Sequence, residues 1–171
     1  MVRGGVAVTV PELDAALGSA EPIVLDIRGD AYAEGHIDGA VSAPYSLFRG
    51  PKENPGQVPD VATLEGHFES LGLSPDRAVV IVTDGATDTD FGAAARVYWT
   101  LKSTGFTDLS ILNGGVAAWR AEGLALESEP TEPEPTEPPA SVVVESAEAN
   151  PAPATDTPEV IAEPTAEPTP E

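Results

Sequence analysis

There is no cysteine among the 171 residues. That absence excludes disulfides, thiolate metal sites and any thiol chemistry carried by this chain. Cations are scarce too: eight Lys and Arg stand against 29 Asp and Glu, a formal charge of −21. A chain so acidic, with no basic patch, is a poor match for nucleic acid or an anionic membrane. No apolar run approaches the roughly 20 residues needed to span a bilayer. Met1–Val10 lacks the long apolar core of a signal peptide. The expectation is a soluble cytoplasmic protein, with no membrane insertion.

The charge is unevenly spread. Glu127–Glu171 holds twelve of the acidic residues and eleven of the prolines, with no Lys, Arg or His. Its repeats (EPTEPEPTEPP, AEPTAEPTPE) and few apolar residues cannot offset the entropy of ordering it. Proline removes backbone donors and blocks helix. Residues 127–171 are therefore expected to be a disordered acidic tail, stiffened by proline and like charge. Residues 1–126 are long enough to bury a core and are expected to form one domain.

Within that domain, Thr9-Val10-Pro11-Glu12-Leu13 predicts a helix start. Thr9 can cap, proline suits the first turn, and Glu12 stands three residues after the cap. Ile23–Ile27 is an apolar run fit for a central parallel strand. Its one charge, Asp26, is costly unless paired, and Arg28 is the candidate partner. Asp30–Glu34 predicts one helical turn capped by Asp30 and stopped by Gly35. Val41–Pro44 reads as a short strand, and Tyr45–Pro59 as a connector. Asp60 caps a helix through Leu71 with Val61, Leu64, Phe68 and Leu71 on one face. Ala78–Thr83 is a buried strand, Asp84–Asp90 a loop and Phe91–Thr104 a helix. Leu109–Leu112 is the last strand, and Gly114-Gly115 turns into a helix over Val116–Ala121. Such alternation predicts a three-layer α/β domain with a mostly parallel, roughly five-stranded sheet flanked by helices.

The strand, loop and helix from Ala78 to Gly105 mark the place where α/β proteins gather free backbone N–H groups around an anion or a nucleophile. The loop itself, Asp84-Gly85-Ala86-Thr87-Asp88-Thr89-Asp90, contains no Cys, Ser, Lys or His and three aspartates. Aspartyl-phosphate chemistry at Asp84 would need a metal and further acidic groups at fixed places. DGATDTD matches no metal-loop spacing, so no metal or cofactor is expected. The simpler reading has Asp90 or Thr89 capping the helix and Asp84 accepting hydrogen bonds from loop N–H groups. Carboxylates would then satisfy internally the donors that an anion would use. Arg96, farther along the helix, is expected to pair with a local aspartate.

Residues 23–44, IVLDIRGDAYAEGHIDGAVSAP, resemble the rhodanese homology domain of the sulfurtransferase family: a strand ending in Asp-x-Arg, a short helix, then Gly-His-Ile-x-Gly-Ala. SILNGGVAAWRAEGL at 110–124 is similar to the family's last strand, Gly-Gly turn and Trp-bearing helix. ARVYWTL at 95–101 is most similar to the first domain of two-domain thiosulfate or mercaptopyruvate sulfurtransferases. The resemblance covers about residues 7–126. It implies a rhodanese-like fold in which Asp84 fills the position of the nucleophilic cysteine, as an aspartate often does in the non-catalytic first domain. It also implies structural roles for Asp26, Arg28, His36, Arg96, Gly114, Gly115 and Trp119, with Asp26 and Arg28 bracing the strand end beside the loop. A carboxylate cannot carry a persulfide sulfur through attack and release.

The expectation that follows is a catalytically silent rhodanese-like domain with a binding, regulatory or scaffolding role and no catalytic residue of its own. Its partner would be another protein, such as a catalytic rhodanese domain. Two alternatives stand beside it. One is residual or partner-supplied thiosulfate:cyanide sulfurtransferase activity. The other is a passive globule whose acidic tail is the interacting part. His67 is expected on a solvated helix face, and Trp99, like Trp119, in the core or at a domain contact.

Overall fold

Short runs of Val, Ile and Leu build the sheet. Strands β1 (Ala7–Val8), β2 (Ile23–Asp26), β3 (Val41–Ser42), β4 (Val79–Val82) and β5 (Leu109–Leu112) pair in the order β1-β5-β4-β2-β3, every pair parallel. The computed structural model describes residues 5–19 and 22–134. Strand β4 holds the centre: Val79–Val82 register with Ile23–Asp26 on one side, and Val79–Ile81 with Leu109–Ile111 on the other. All residues of β2, β4 and β5 are buried, because helices cover both faces of the sheet.

Alternate strand residues face opposite layers. Ile23, Leu25, Val79, Ile81, Leu109 and Ile111 pack against helices α2 (Val61–Ser70) and α3 (Asp88–Ser103) through Leu64, Phe68, Ala94, Val97 and Leu101. Val24, Val80, Val82 and Leu112 pack against α1 (Val10–Leu17) and α4 (Gly115–Ala121) through Val10, Leu13, Val116 and Trp119. This is the three-layer α/β architecture the periodicity predicts.

Three local expectations are corrected. Strand β1 went unforeseen, because two residues carry no periodicity; its pairing with β5 makes it a strand. The turn after β2 is a 3₁₀ helix, Gly29–Glu34, with Arg28 rather than Asp30 in the capping position. Val61 lies on the expected face of α2 but is 64% exposed, as the first residue of a helix beyond the reach of the core.

The chain stays on the domain past residue 126. Glu127 and His36 exchange backbone hydrogen bonds of 2.8 and 2.7 Å. The Thr131 N–H donates to the Tyr32 hydroxyl at 3.0 Å, and Arg77 reaches Glu134 at 3.2 Å. Residues 127–134 are thus held by backbone groups and a surface ion pair, which a composition rich in Glu and Pro does not forbid. The rest of the expected tail, residues 135–171, lies outside the described residues. Among the described residues, no helix is long and apolar enough to cross a membrane.

Two helix starts carry a pH dependence. Asp60 accepts from the Thr63 N–H at 3.0 Å and its hydroxyl at 2.9 Å; Glu12 accepts from the Thr9 hydroxyl at 2.7 Å and its N–H at 2.9 Å. These bonds hold both carboxyl groups below their ordinary values, through the Thr63 N–H first for Asp60 and the Thr9 hydroxyl first for Glu12. A depressed folded-state value gives stability that is present above the unfolded-state value and lost as pH falls through the folded one. Asp60→Ala is therefore expected to lower the urea midpoint at neutral pH. The gap from the parent protein should close as pH drops below the ordinary carboxylate range. A gap constant down to strongly acidic pH would mean that the charge contributes nothing.

Candidate functional site

Strand β4 ends in the middle of the sheet, at the carboxyl edge where open α/β sheets bind their ligands. Thr83 is still buried and Asp84 is the first exposed residue. Thr87 then caps α3. Its hydroxyl accepts from the Asp90 N–H at 3.3 Å, while the Asp90 carboxylate accepts from the backbone N–H groups of Thr87 at 2.8 Å and Ala86 at 3.0 Å. This reciprocal box starts the helix at Asp88, three residues before the expected Phe91. Thr87 is the cap rather than Thr89 or Asp90, and Asp88, Thr89 and Asp90 form the first turn.

Two of the loop's N–H groups, those of Ala86 and Thr87, are therefore filled by a carboxylate, but by that of Asp90 and not of Asp84. A carboxylate at this point also sits well in the positive end of the helix. The Asp84 side chain is 51% exposed, and its Oδ1 accepts from the Nη1 of Arg28 at 3.4 Å.

Beneath it lies the Asp26–Arg28 pair. Asp26 is completely buried at the end of β2, and the Arg28 side chain is 3% exposed. The Nε of Arg28 lies 3.0 Å from both Asp26 oxygens, and Nη2 lies 2.7 Å from Oδ2. The Arg28 backbone N–H adds a fourth bond to Oδ1 at 3.0 Å. Nη2 also donates to the Gly35 carbonyl at 2.7 Å. Burial pulls the guanidinium's affinity for its proton down, but the hydrogen bonds and charge of Asp26, with Asp84 behind them, outweigh it and raise it above the ordinary value. Arg28 thus stays charged and ties three segments together: the end of β2, the turn at Gly35 and the loop after β4.

The Gly114-Gly115 turn closes the other side. Both residues have positive φ, 75° and 54°. They let the start of α4 come against the loop so that the N–H groups of Val116 and Ala117 donate to the carbonyls of Thr83 and Asp84, each at 2.9 Å. Trp119 is buried under this turn, and its indole N–H donates to the Ala125 carbonyl at 2.9 Å.

His36 reaches the site only indirectly, next to Gly35. It is fully buried and stacked on the Tyr32 ring at 3.8 Å, with Nδ1 3.0 Å from the Tyr32 carbonyl. Among the described residues, Arg96 pairs with no aspartate. Its Nη2 donates to the carbonyls of Gly56 at 2.7 Å and Gln57 at 3.1 Å, and its guanidinium lies over the Trp99 ring at 5.7 Å. Asp88 and Asp90 stand eight and six residues before it on α3, outside the three- or four-residue spacing at which helix side chains meet. Trp99 is 53% exposed, which excludes the core and leaves the domain contact of the same expectation untested. Among the described residues, no group of three or more His, Asp or Glu is placed to hold a metal ion.

Two residues of this site went unread in the sequence. Thr87 was legible, as the first member of a Thr-x-x-Asp box. Gly85 was not: a Cβ there would run into the carbonyl of Gly114, a contact between segments about thirty residues apart. Chemically, the arrangement offers one exposed carboxylate on a buried guanidinium, two loop N–H groups already occupied, and no thiol.

The rhodanese-like domain model matches residues 9–122. The thiosulfate sulfurtransferase of Pseudomonas aeruginosa is 38% identical over 120 residues, which are 69% of this chain and 43% of its own. That of Azotobacter vinelandii is 39% identical over 120 residues, with the same shares. SseA, a 3-mercaptopyruvate sulfotransferase of Escherichia coli, superposes with a TM-score of 0.66 at 24% identity, over 78% of this chain and 54% of its own. The chain spans less than half the length of the two thiosulfate sulfurtransferases. A family model running from the cap of α1 to the end of α4, on a three-layer parallel fold shared with SseA, establishes that this chain belongs to the rhodanese-like domain family.

Proposed function

We propose that this is a catalytically silent rhodanese-like domain, corresponding to the first domain of two-domain sulfurtransferases, with a binding, regulatory or scaffolding role. The observation that carries the reading is the self-filled loop in a chain without a thiol: the Asp90 carboxylate holds the N–H groups of Ala86 and Thr87. Asp84 stands where catalytic relatives hold their cysteine. Its exposed carboxylate rests on Arg28 and, unlike a thiolate, offers no sulfur nucleophile. Asp26, Arg28, His36, Arg96, Gly114, Gly115 and Trp119 hold the fold around it.

The partner is a cysteine-bearing rhodanese domain. Support comes from the lengths of the thiosulfate sulfurtransferases, of which this chain matches 43%. The reading places the domain in the cytoplasm and gives the acidic residues past it the role of a spacer.

A cyanide–thiosulfate assay tests the reading. The pure protein is expected to form thiocyanate no faster than the mixture without enzyme. Asp84→Cys should stay inactive as well, because Asp90 still occupies the N–H groups and Asp88 and Asp90 repel thiosulfate. Thiocyanate formed by the unsubstituted protein alone would overturn it. Thiocyanate formed only after a cysteine-bearing rhodanese domain is added, and faster than by that domain alone, would identify the partner as the supplier of the thiol.

A further inference from the structure

Helix α3 buries Ala94, Val97, Thr100 and Leu101 on its inner side. The middle of its outer side is apolar as well, which a solvated helix face ordinarily is not. Phe91 is 61% exposed and Trp99 53%. At about 100° per residue, positions 88, 91, 92, 95, 99 and 102 fall in one stripe. Gly92 and Ala95 separate the two aromatic residues, while exposed Asp88 and Lys102 close the two ends.

This stripe is complementary to itself. Phe91 and Trp99 stand four residues to either side of Ala95, and Asp88 and Lys102 stand seven to either side. A second α3 laid antiparallel across a two-fold axis at Ala95 sets Phe91 against Trp99 of the second copy. It sets Asp88 against Lys102 of that copy, and each pair occurs twice, as an isologous contact requires. Two alanines at the crossing let the axes approach to about 8–10 Å. Antiparallel packing also brings the positive end of each helix beside the negative end of the other.

We propose that the outer face of α3 is a homodimer interface, filled by α3 of a second copy in antiparallel two-fold packing. Charge complementarity singles out this occupant. The chain carries −21, so two copies repel except where opposite charges meet, and the stripe supplies one such pair at each end. Arg96, held by the Gly56 and Gln57 carbonyls and lying over the Trp99 ring, keeps that indole in place before contact. One helix from each side covers less than the roughly 800 Å² per partner of a standard interface, so the dimer is weak and concentration-dependent. It sets Lys102 of one copy beside the Asp84–Thr87 loop of the other. The pairing does not rest on the silent-domain reading: of the site loop it uses only the charge of Asp88, whereas the N–H groups of Ala86 and Thr87 are held by Asp90.

Sedimentation velocity of the full 171-residue chain over a wide concentration range is the test. The expected result is a reversible monomer–dimer equilibrium. Trp99→Asp and Ala95→Arg should each leave the protein monomeric. Lys102→Asp and Asp88→Lys alone should weaken the dimer about tenfold, since each sets like charges face to face. The double variant Asp88→Lys/Lys102→Asp should restore it, which a fold defect would not do. A monomer at millimolar concentration overturns the proposal and leaves the stripe to a different protein. So does a dimer indifferent to Trp99→Asp and Ala95→Arg, or a charge-reversed double variant no tighter than the single ones.

Discussion

Arg28→Met is expected to cost about 3–5 kcal/mol of unfolding free energy, the range for removing one partner of a buried ion pair. The reason lies in Asp26. Its carboxylate is completely buried at the end of a central strand and takes three of its four hydrogen bonds from the Arg28 guanidinium. With methionine in place, only the bond from the backbone N–H remains, and a charge is left in a low-dielectric site. The Gly35 carbonyl loses its donor and Asp84 its counter-charge in the same step. The loss is a large part of the roughly 5–15 kcal/mol that a domain of this kind commands. Replacing both members, Asp26→Leu/Arg28→Met, should recover most of it, because two apolar groups leave no orphaned charge. Urea unfolding followed by tryptophan fluorescence measures all three proteins, with buried Trp119 as a reporter of the core. A single variant within about 1 kcal/mol of the parent, the worth of an exposed pair, would show that the site is far wetter than its burial implies.

What could be read from the sequence here follows the range of each interaction. The buried strands β2, β4 and β5 are continuous apolar runs because both their faces are covered, and that pattern is local. Asp26 and Arg28 are two residues apart, so their pairing was open to inspection. The third arm of Arg28 reaches Asp84 across 56 residues, and no local pattern carries it. The loop shows the same division. Its composition predicted that carboxylates would fill the N–H groups, but the carboxylate that does so is Asp90, because Thr87 and Asp90 together fix where α3 begins. Arg96 illustrates a different limit. Its acceptors are the backbone carbonyls of Gly56 and Gln57, and a carbonyl looks the same whatever residue bears it. For Trp99 the sequence left core and domain contact side by side, since the spacing of an aromatic residue on a helix does not say which layer it faces.

Gly115→Ala should do comparable damage from the opposite side of the site, by adding atoms where none fit. A Cβ at Gly115 would press into the carbonyl oxygen of Thr83 and stand 2.7 Å from both the Asp84 carbonyl carbon and the Gly85 nitrogen. All three are backbone atoms, so no side chain can swing aside. The turn must lift away from the end of β4, stretching the 2.9 Å bonds from Val116 and Ala117 that anchor the loop. Overpacking of about 1–3 kcal/mol adds to about 1–2 kcal/mol for a non-glycine residue in the left-handed region. The expected total is thus about 2–5 kcal/mol, read as a fall in the urea midpoint. Gly123→Ala isolates the second contribution. Gly123 has φ 77°, and a Cβ there would meet nothing within 4 Å, so its substitution carries the backbone strain alone. The difference between the two variants is then the cost of separating the Gly-Gly turn from the loop. Equal losses in both would mean that α4 moves freely from the end of β4, and that the Gly114-Gly115 turn does not position Asp84.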